Sequence, residues 1–294
     1  MTDEELDMRL TEANRNYLRN VIHMRDDFQR MRIANDNRLG KKADGKPTKW
    51  ETQQPRALHK RDIPVLAKFA KFAREMEENL KKLLPEALSR FPIWNEWLSK
   101  IEPVQEVASA WLLSELDVRI ADTASKFWQV CGFNPGTVRA RKSEKDDKGK
   151  RIIVVTNTLV RGDRLTKGFL SPFNTTLRKV MMGIWAQGMI NGTKPKGAKK
   201  GAKNIPSQYK LDYYDPYKHR LENSEREVQE RLKNGKYKTV MWKDAAPGHR
   251  HMAAKRYMCK MFLRDLYVQW RTIEGLPVRE PYAEEYLGKK HAVA

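Results

Sequence analysis

A short basic run in the middle of the chain brings one hydroxyl group together with several cations. The hydroxyl is that of Ser143, the only serine between Gly132 and Leu170, and the cations are Arg139, Arg141, Lys142 and Lys145. Cations of this kind hold a phosphodiester and stabilise the charge that develops when a hydroxyl attacks it. The run predicts a basic loop over residues 139–151 with Ser143 as candidate nucleophile. An ordinary surface loop with an inert serine is the other interpretation, and the pattern leaves both open.

A second group of cations recurs at helical spacing near the C-terminus. At about 100° per residue, four of them fall within an arc of roughly 80°. They are Arg256, Lys260, Arg264 and Arg271. Apolar residues lie on either side of the arc, so we expect one face of this helix to pack and the other to contact backbone phosphates. An ordinary solvated face is the alternative.

Two histidines stand at the start of the same helix. His249 and His251 are two residues apart, whereas a metal pair on a helix favours spacings of three or four, and no cysteine or carboxylate is placed to complete a site. We therefore predict no metal site, and we expect His249 to be a polar cap or a phosphate contact. Residues 191–207 contain five lysines and no acid, which predicts a mobile basic loop whose Lys199 and Lys200 contact nucleic acid.

The composition favours a polyanionic partner. The 294 residues carry a formal net charge of +21 and a pI near 9.9, with 40% hydrophobic and 32% charged residues. Such a field concentrates nucleic acid or an anionic membrane, and no apolar run approaches the ~20 residues that span a bilayer. The acidic N-terminus lacks a signal-peptide pattern, so we expect a cytoplasmic, nucleoid-associated protein. Cys131 and Cys259 are far apart and predict two buried thiols.

The elements that must position these residues are mainly helical. Apolar spacings of three and four predict long amphipathic helices over residues 1–38 and from Ile63–Pro64 onward, separated by a polar connection at 41–61. This pair resembles a coiled coil and predicts a homo-oligomer, while two helices packed inside one monomer remain an equal alternative. We place a domain boundary between 1–98, the helical N-terminal region, and 99–294, the basic domain.

The second domain is predicted to be helical with at most a small β-ribbon. A helical hairpin is expected over 101–120 and 122–131, a helix around 221–233, and a last helix from about Gly248 to Glu274. Ser171, followed by Pro172, is expected to cap a further helix. Residues 152–156 are the β-branched exception and predict a two-stranded ribbon.

These stretches follow one another in an order that resembles a known family. Residues 101–117 loosely follow the pattern I-P-G-I-G-P-x-T-A-A-x-L-L-A-E-L-G-D, and 130–135 echo the turn A-x-x-G-L-x-P. Residues 170–178 are similar to I-S-K-x-G-N-x-x-L-R, and 251–258 to A-x-x-A-R-K-L-L. The chain thus resembles, over about 100–275, the helix-hairpin-helix and serine-loop domain of Piv-like DEDD insertion-sequence transposases and DNA invertases, which include bridge-RNA-guided recombinases.

The resemblance implies a DNA-binding protein that acts in transposition or recombination. It implies DNA as partner, possibly a guide RNA, with Ser143 as nucleophile and Arg178 as a nucleic-acid contact. The family's hairpin glycines are Pro103 and Gln105 here, and its N-terminal RNase H-like domain has no counterpart in residues 1–100. No cofactor is therefore expected in this chain, and Mg²⁺ would come with a separate RNase H-like partner. The alternatives are a catalytically inactive repressor, accessory or packaging protein, and a structural or ribosome-associated basic protein.

Overall fold

The computed structural model describes residues 3–39, 63–195, 197–198, 201–231 and 235–279. Within these residues the protein is mainly helical and has two small antiparallel two-stranded sheets, which confirms the predicted fold class. The chain divides into two compact units, Met1–Asn95 with Ser109–Glu115, and Glu96–Ala108 with Leu116–Ala294. The predicted connection at 41–61 lies outside the described residues, as do the residues after 279.

The first unit is built on two long helices. Helix α1 spans Asp3–Leu39 and α2 spans Ile63–Ser89, continuing through Pro85. The two helices are antiparallel, because Tyr17 contacts Arg90 near one end while Asp36 contacts Arg74 near the other. They pack as a hairpin within one chain. Their shared core contains Leu18, Ile22, Ala73, Leu84 and Leu88.

A charged network lies inside this helical hairpin. The Glu77 carboxylate accepts hydrogen bonds from Arg25 Nη2 at 2.8 Å and from Arg32 Nε at 2.6 Å. Glu77 and Arg25 are both buried. A buried carboxylate tolerates desolvation only when its oxygens are paired and hydrogen-bonded. The network therefore links α1 to α2 through paired and hydrogen-bonded charges.

Short elements then precede the ribbon. Helix α3 spans Pro92–Glu96, a 3₁₀ turn spans Leu98–Lys100, and α4 and α5 span Glu106–Glu115 and Ala124–Val130. The predicted helices at 101–120 and 122–131 are thus present but shorter. Residues 101–105 precede α4 and are not helical.

The last helix organises the core of the second unit. Helix α9 spans Pro247–Ile273, within one residue of its predicted ends. The Phe262 ring stacks on Trp185 with centroids 4.1 Å apart, and the Tyr267 ring meets Phe127 edge-on at 6.0 Å. The Tyr267 hydroxyl also donates to the Asp122 carbonyl at 2.7 Å, so its polar end is satisfied.

The helix expected after Ser171 begins later than predicted. Asn174 is the cap, because its side chain accepts from the backbone N–H groups of Thr176 and Leu177, and α6 spans Thr175–Lys179. The Ser171 hydroxyl instead donates to the Phe173 carbonyl at 2.7 Å, so its prediction as N-cap is wrong. The helical path continues through a π-helical turn, Val180–Trp185, into α7, Ala186–Asn191.

The two β-ribbons cover more of the chain than the single ribbon predicted at 152–156. Strands β1, Thr137–Lys145, and β2, Arg151–Arg161, pair over most of the stretch predicted as a basic loop. A π-helical turn, Lys210–Tyr214, leads into α8, Asp215–Glu222. Strands β3, Glu227–Arg231, and β4, Tyr237–Met241, then form the second ribbon, and a 3₁₀ turn spans Trp242–Asp244. The helix predicted around 221–233 is therefore wrong over the described residues 223–231.

Candidate nucleic-acid interface

One face of the β1–β2 ribbon carries most of its cations. Cross-strand partners share a face, as do alternate residues of a strand. The register pairs Arg139 with Leu159 on one side of a β-bulge, and Arg141 with Val155, Ser143 with Ile153 and Lys145 with Arg151 on the other side. We call these eight residues, together with Thr137 and Arg161, the outer face. Every one of them is exposed, and none is acidic.

The opposite face anchors the ribbon. Ala140 and Val160 are buried at its base. Lys142 lies on this side, with Nζ 5.0 Å from the centre of the Phe169 ring. The strand edge is held by the Leu170 N–H, which donates to the Arg141 carbonyl at 2.8 Å. Lys142 was predicted beside Arg139 and Arg141 in one phosphate-binding loop, but the pleat of the strand turns it to the other side.

Ser143 lies in a strand and not in the predicted loop. Its side chain is exposed on the outer face, where Arg141 and Lys145 are its neighbours two residues away. Glu144, next in the chain, belongs to the opposite face. Among the described residues no carboxylate or imidazole hydrogen-bonds the Ser143 hydroxyl. The setting supplies cations for a phosphodiester, and a general base would have to come from elsewhere.

A second cationic site surrounds Arg178. The Arg178 guanidinium lies between two aromatic rings, 5.0 Å from the centre of Phe133 and 5.4 Å from that of Phe173. Its Nη1 atom is buried and has no hydrogen-bond partner among the described residues. Gly132 (φ +75°) makes this packing possible, because a Cβ there would lie 2.7 Å from the Phe173 ring.

Further cations lie close to Arg178. Burial lowers the pKa of Arg178, and the charge of Arg256 on α9 lowers it further. Burial also lowers the pKa of Arg256, with further lowering by Arg164 and Arg161. We call Arg161, Arg164, Arg178 and Arg256 the arginine cluster. Repulsion among these side chains makes the cluster a place where an anion is favoured.

The positive charge of the arginine cluster is only partly neutralised by a nearby carboxylate. Asp163 raises the pKa of both Arg178 and Arg256, but its carboxylate is held by Arg161 through two hydrogen bonds of 2.9 Å. His249 lies beside the cluster. Its pKa is lowered by burial first and then by Arg256, so the imidazole is neutral at pH 7.

The predicted arc of α9 does not present four cations to solvent. Lys260 Nζ lies 4.3 Å from the centre of the Trp128 ring, and burial lowers its pKa. Arg264 bonds Asp265 at 2.9 Å and the Tyr213 hydroxyl at 3.2 Å. Arg271, only 8% exposed, donates to the carbonyls of Val118, Ala121 and Pro277.

These contacts decide which of the four can meet a phosphate. Arg271 is a structural residue, and its prediction as part of a solvent-facing arc is wrong. A phosphate contact by Lys260 or Arg264 would have to displace an existing partner. Only Arg256 joins other cations, in the arginine cluster.

The remaining predicted contacts fall elsewhere. Lys199 and Lys200 lie outside the described residues. The base of their segment is closed, because Thr193 and Ile205 exchange backbone hydrogen bonds of 3.0 and 2.7 Å. His251 Nδ1 and the Tyr214 hydroxyl form a hydrogen bond of 2.6 Å, so His251 does not share the surroundings of His249 beside the arginine cluster.

Cys131 and Cys259 are both free and buried, as predicted. No cluster of three His, Cys, Asp or Glu side chains able to hold a metal ion is found in the part of the chain that the structure describes. None of the helices described is both long and apolar enough to cross a bilayer.

The chain was also compared with known proteins. No protein family, curated protein or solved structure matched it. Arg161 and Arg164 were not among the predicted site residues, nor were the exposed apolar side chains of the outer face. The β-branched run at 152–156 signalled β2, but the length of the ribbon and its register were needed to show which residues share a face.

Proposed function

We propose that this protein binds duplex DNA through the outer face of the β1–β2 ribbon and takes part in DNA transposition or recombination. The observation that carries the proposal is the charge of that face. Arg139, Arg141, Lys145 and Arg151 are all exposed there, and none forms an ion pair with a described carboxylate; Arg141 Nη2 donates to the Ser171 carbonyl at 3.0 Å. DNA phosphates would neutralise these cations and release counterions, which supplies affinity independently of sequence.

The shape of the ribbon fits a duplex. A two-stranded ribbon can lie in the major or the minor groove of B-DNA, whereas the major groove of A-form RNA is too narrow for side chains to read. The arginine cluster supports a second contact with the backbone. Arg178 lies on α6 and Arg256 on α9, and the charge of Arg256 lowers the pKa of Arg178, so we expect both to contact the same stretch of DNA backbone.

Participation in recombination rests on the family resemblance and on Ser143. That hydroxyl is on the same face as the four cations, so DNA bound there would pass over it. The alternative is a catalytically inactive repressor, accessory or packaging protein. It is favoured by the absence of a base hydrogen-bonded to Ser143 among the described residues, since a serine hydroxyl alone is a poor nucleophile at neutral pH.

We also propose that two copies associate through α1 and α2. The exposed residues Val65, Phe69 and Phe72 recur at helical spacing on α2, and Phe72 contacts Phe28 of α1. Met24 and Met31 extend this apolar surface along α1. Charges of both signs flank it, as in the pairs Asp26–Arg30 and Lys71–Glu75. A second copy offers the same apolar stripe and the same mixed charges, and two such hairpins would form a four-helix bundle.

Salt dependence of duplex binding tests the DNA interface. The double variant Arg141→Ala/Lys145→Ala should lower affinity about equally for all sequences and reduce the log–log salt slope by ~2. The matched control is Lys81→Ala/Lys82→Ala, which removes the same charge from an exposed part of α2 and should leave the slope unchanged. An RNA–DNA hybrid measured alongside tests whether a guide strand is accepted. Equal slopes for wild type and ribbon variant would remove the ribbon from the interface.

A further inference from the structure

The outer face also exposes apolar side chains to an unusual degree. Ile153 is 65% exposed, Val155 59% and Leu159 64%. Each is opposite an arginine or Ser143 in the register, so the apolar groups lie among the cations and not on a separate surface. Leaving such side chains in water gives up the favourable free energy of burying them.

The rest of the ribbon does not cover them. Its other face is the one that packs, through Ala140 and Val160. The turn between β1 and β2 is closed by a backbone hydrogen bond, in which the Asp146 N–H donates to the Lys150 carbonyl at 2.9 Å. At the base, the Gly162 N–H donates to the Gly136 carbonyl at 2.8 Å. The ribbon is thus secured at both ends, with its apolar centre facing outward.

The cations beside these exposed apolar side chains indicate which kind of partner would bury them. Arg141 lies about four residues from Lys145, a separation of roughly 13 Å along the strand. A protein partner would need several carboxylates at that spacing, whereas duplex DNA supplies phosphates on both sides of a groove. When the cations meet the two backbones, Ile153 and Val155 point at the base pairs between them.

We propose that Ile153 and Val155 form an apolar wedge that inserts at a base step of duplex DNA and bends it. This inference rests on the proposed DNA binding and names its consequence for the duplex. Aliphatic side chains that enter between base steps unstack them and kink the helix. Flexible steps such as TA and CA are deformed most easily, so the wedge would favour them without reading a sequence by hydrogen bonds.

The test separates insertion from binding. A duplex with a fluorophore at each end reports bending by energy transfer, and 2-aminopurine at a central TA step reports unstacking. Wild-type protein should shorten the end-to-end distance and raise the 2-aminopurine fluorescence. In the variant Ile153→Thr/Val155→Thr, β-branched residues keep the strand propensity while the apolar wedge is lost.

This variant should lose both signals and about tenfold in affinity per side chain, with the salt slope retained because the cations remain. The matched control is Ile152→Thr, on the opposite face of the same strand, which should behave as wild type. Normal bending and 2-aminopurine fluorescence in the double threonine variant would overturn the wedge, as would binding by wild type with neither signal. A wild-type protein that binds no duplex, or binds only anionic vesicles, would overturn the proposed function itself.

Discussion

Ser143 lies directly across the β1–β2 ribbon from Ile153, and both side chains are exposed on the outer face. Directly opposite residues in an antiparallel pair have Cβ atoms about 5 Å apart. The candidate nucleophile and the candidate wedge are therefore neighbours. DNA opened at a base step by Ile153 would bring its backbone close to the Ser143 hydroxyl.

The first prediction concerns catalysis by Ser143. A serine hydroxyl needs a base, a metal or strong stabilisation of the developing charge, and the outer face supplies only the last of these. The purified protein should therefore bind DNA without cutting or joining it. If a partner provides metal-binding carboxylates, strand transfer should appear, and Ser143→Ala should abolish it while leaving the dissociation constant within about twofold. Mass spectrometry of a covalent DNA adduct checks the assignment, and an adduct on another residue such as Ser171 would contradict it.

The second prediction concerns the arginine cluster. Arg256→Ala should weaken duplex binding about tenfold and reduce the salt slope by ~1, because one phosphate contact is lost. Arg256→Ala should not lower the melting temperature by removing a favourable charge interaction. Arg256 lowers the pKa of Arg178 and so disfavours the charged form of Arg178. Thermal melts measured beside the binding curves test both statements. A variant that melts much earlier, with DNA affinity preserved, would make Arg256 a structural residue.

The third prediction separates Arg271 from the interface. Arg271→Ala would remove one charged donor from the buried carbonyls of Val118 and Ala121. At about 1.5–3 kcal/mol per hydrogen bond to a charged group, the free energy of unfolding should fall by at least ~3 kcal/mol. Arg271→Lys should recover only part of this, because an ammonium lacks the planar fork. Urea denaturation measures the loss, and the salt slope of the folded fraction should match wild type.

The fourth prediction concerns self-association of the first unit. Phe69→Ser/Phe72→Ser should convert a dimer into a monomer, since it removes two apolar groups from the exposed stripe of α2. Light scattering at micromolar concentration measures the mass. Ala73→Ser, placed in the buried face of the same helix, is the contrasting change and should lower stability without preferential loss of the dimer. A wild-type protein that is monomeric at this concentration would contradict the prediction.

The fifth prediction concerns the two thiols and pH. Burial raises the pKa of Cys131 well above its usual range and that of Cys259 to about 12. The folded state keeps both thiols protonated while the unfolded chain ionises near pH 8.5, so stability is full below that pH and falls above it. Between pH 8 and 9.5 the free energy of unfolding should fall by about 2–3 kcal/mol more in wild type than in Cys131→Ala/Cys259→Ala. If the free energy of unfolding fell equally with pH in the two proteins, the raised pKa values of the buried thiols would be contradicted.

The sequence by itself determined the helical character of the protein and most of its helix positions. The apolar spacing in α1, α2 and α9 is long and regular, so period and caps placed these helices within a few residues. The charge of +21 pointed to a polyanion. Both properties are local or summed over the chain, which is why they can be read without knowing what packs against what.

The tertiary structure alone decided which cations are available. Arg256 and Arg271 looked alike on a helical wheel, but Arg271 donates to carbonyls from a segment about 150 residues earlier in the chain, whereas the charge of Arg256 lowers the pKa of Arg178. The ribbon was decided in the same way. Ser143 and Ile153 become partners only through the register of two strands, which includes a β-bulge between Arg139 and Arg141. Contacts between residues distant in sequence leave no periodic signal, because each depends on the whole fold that brings them together.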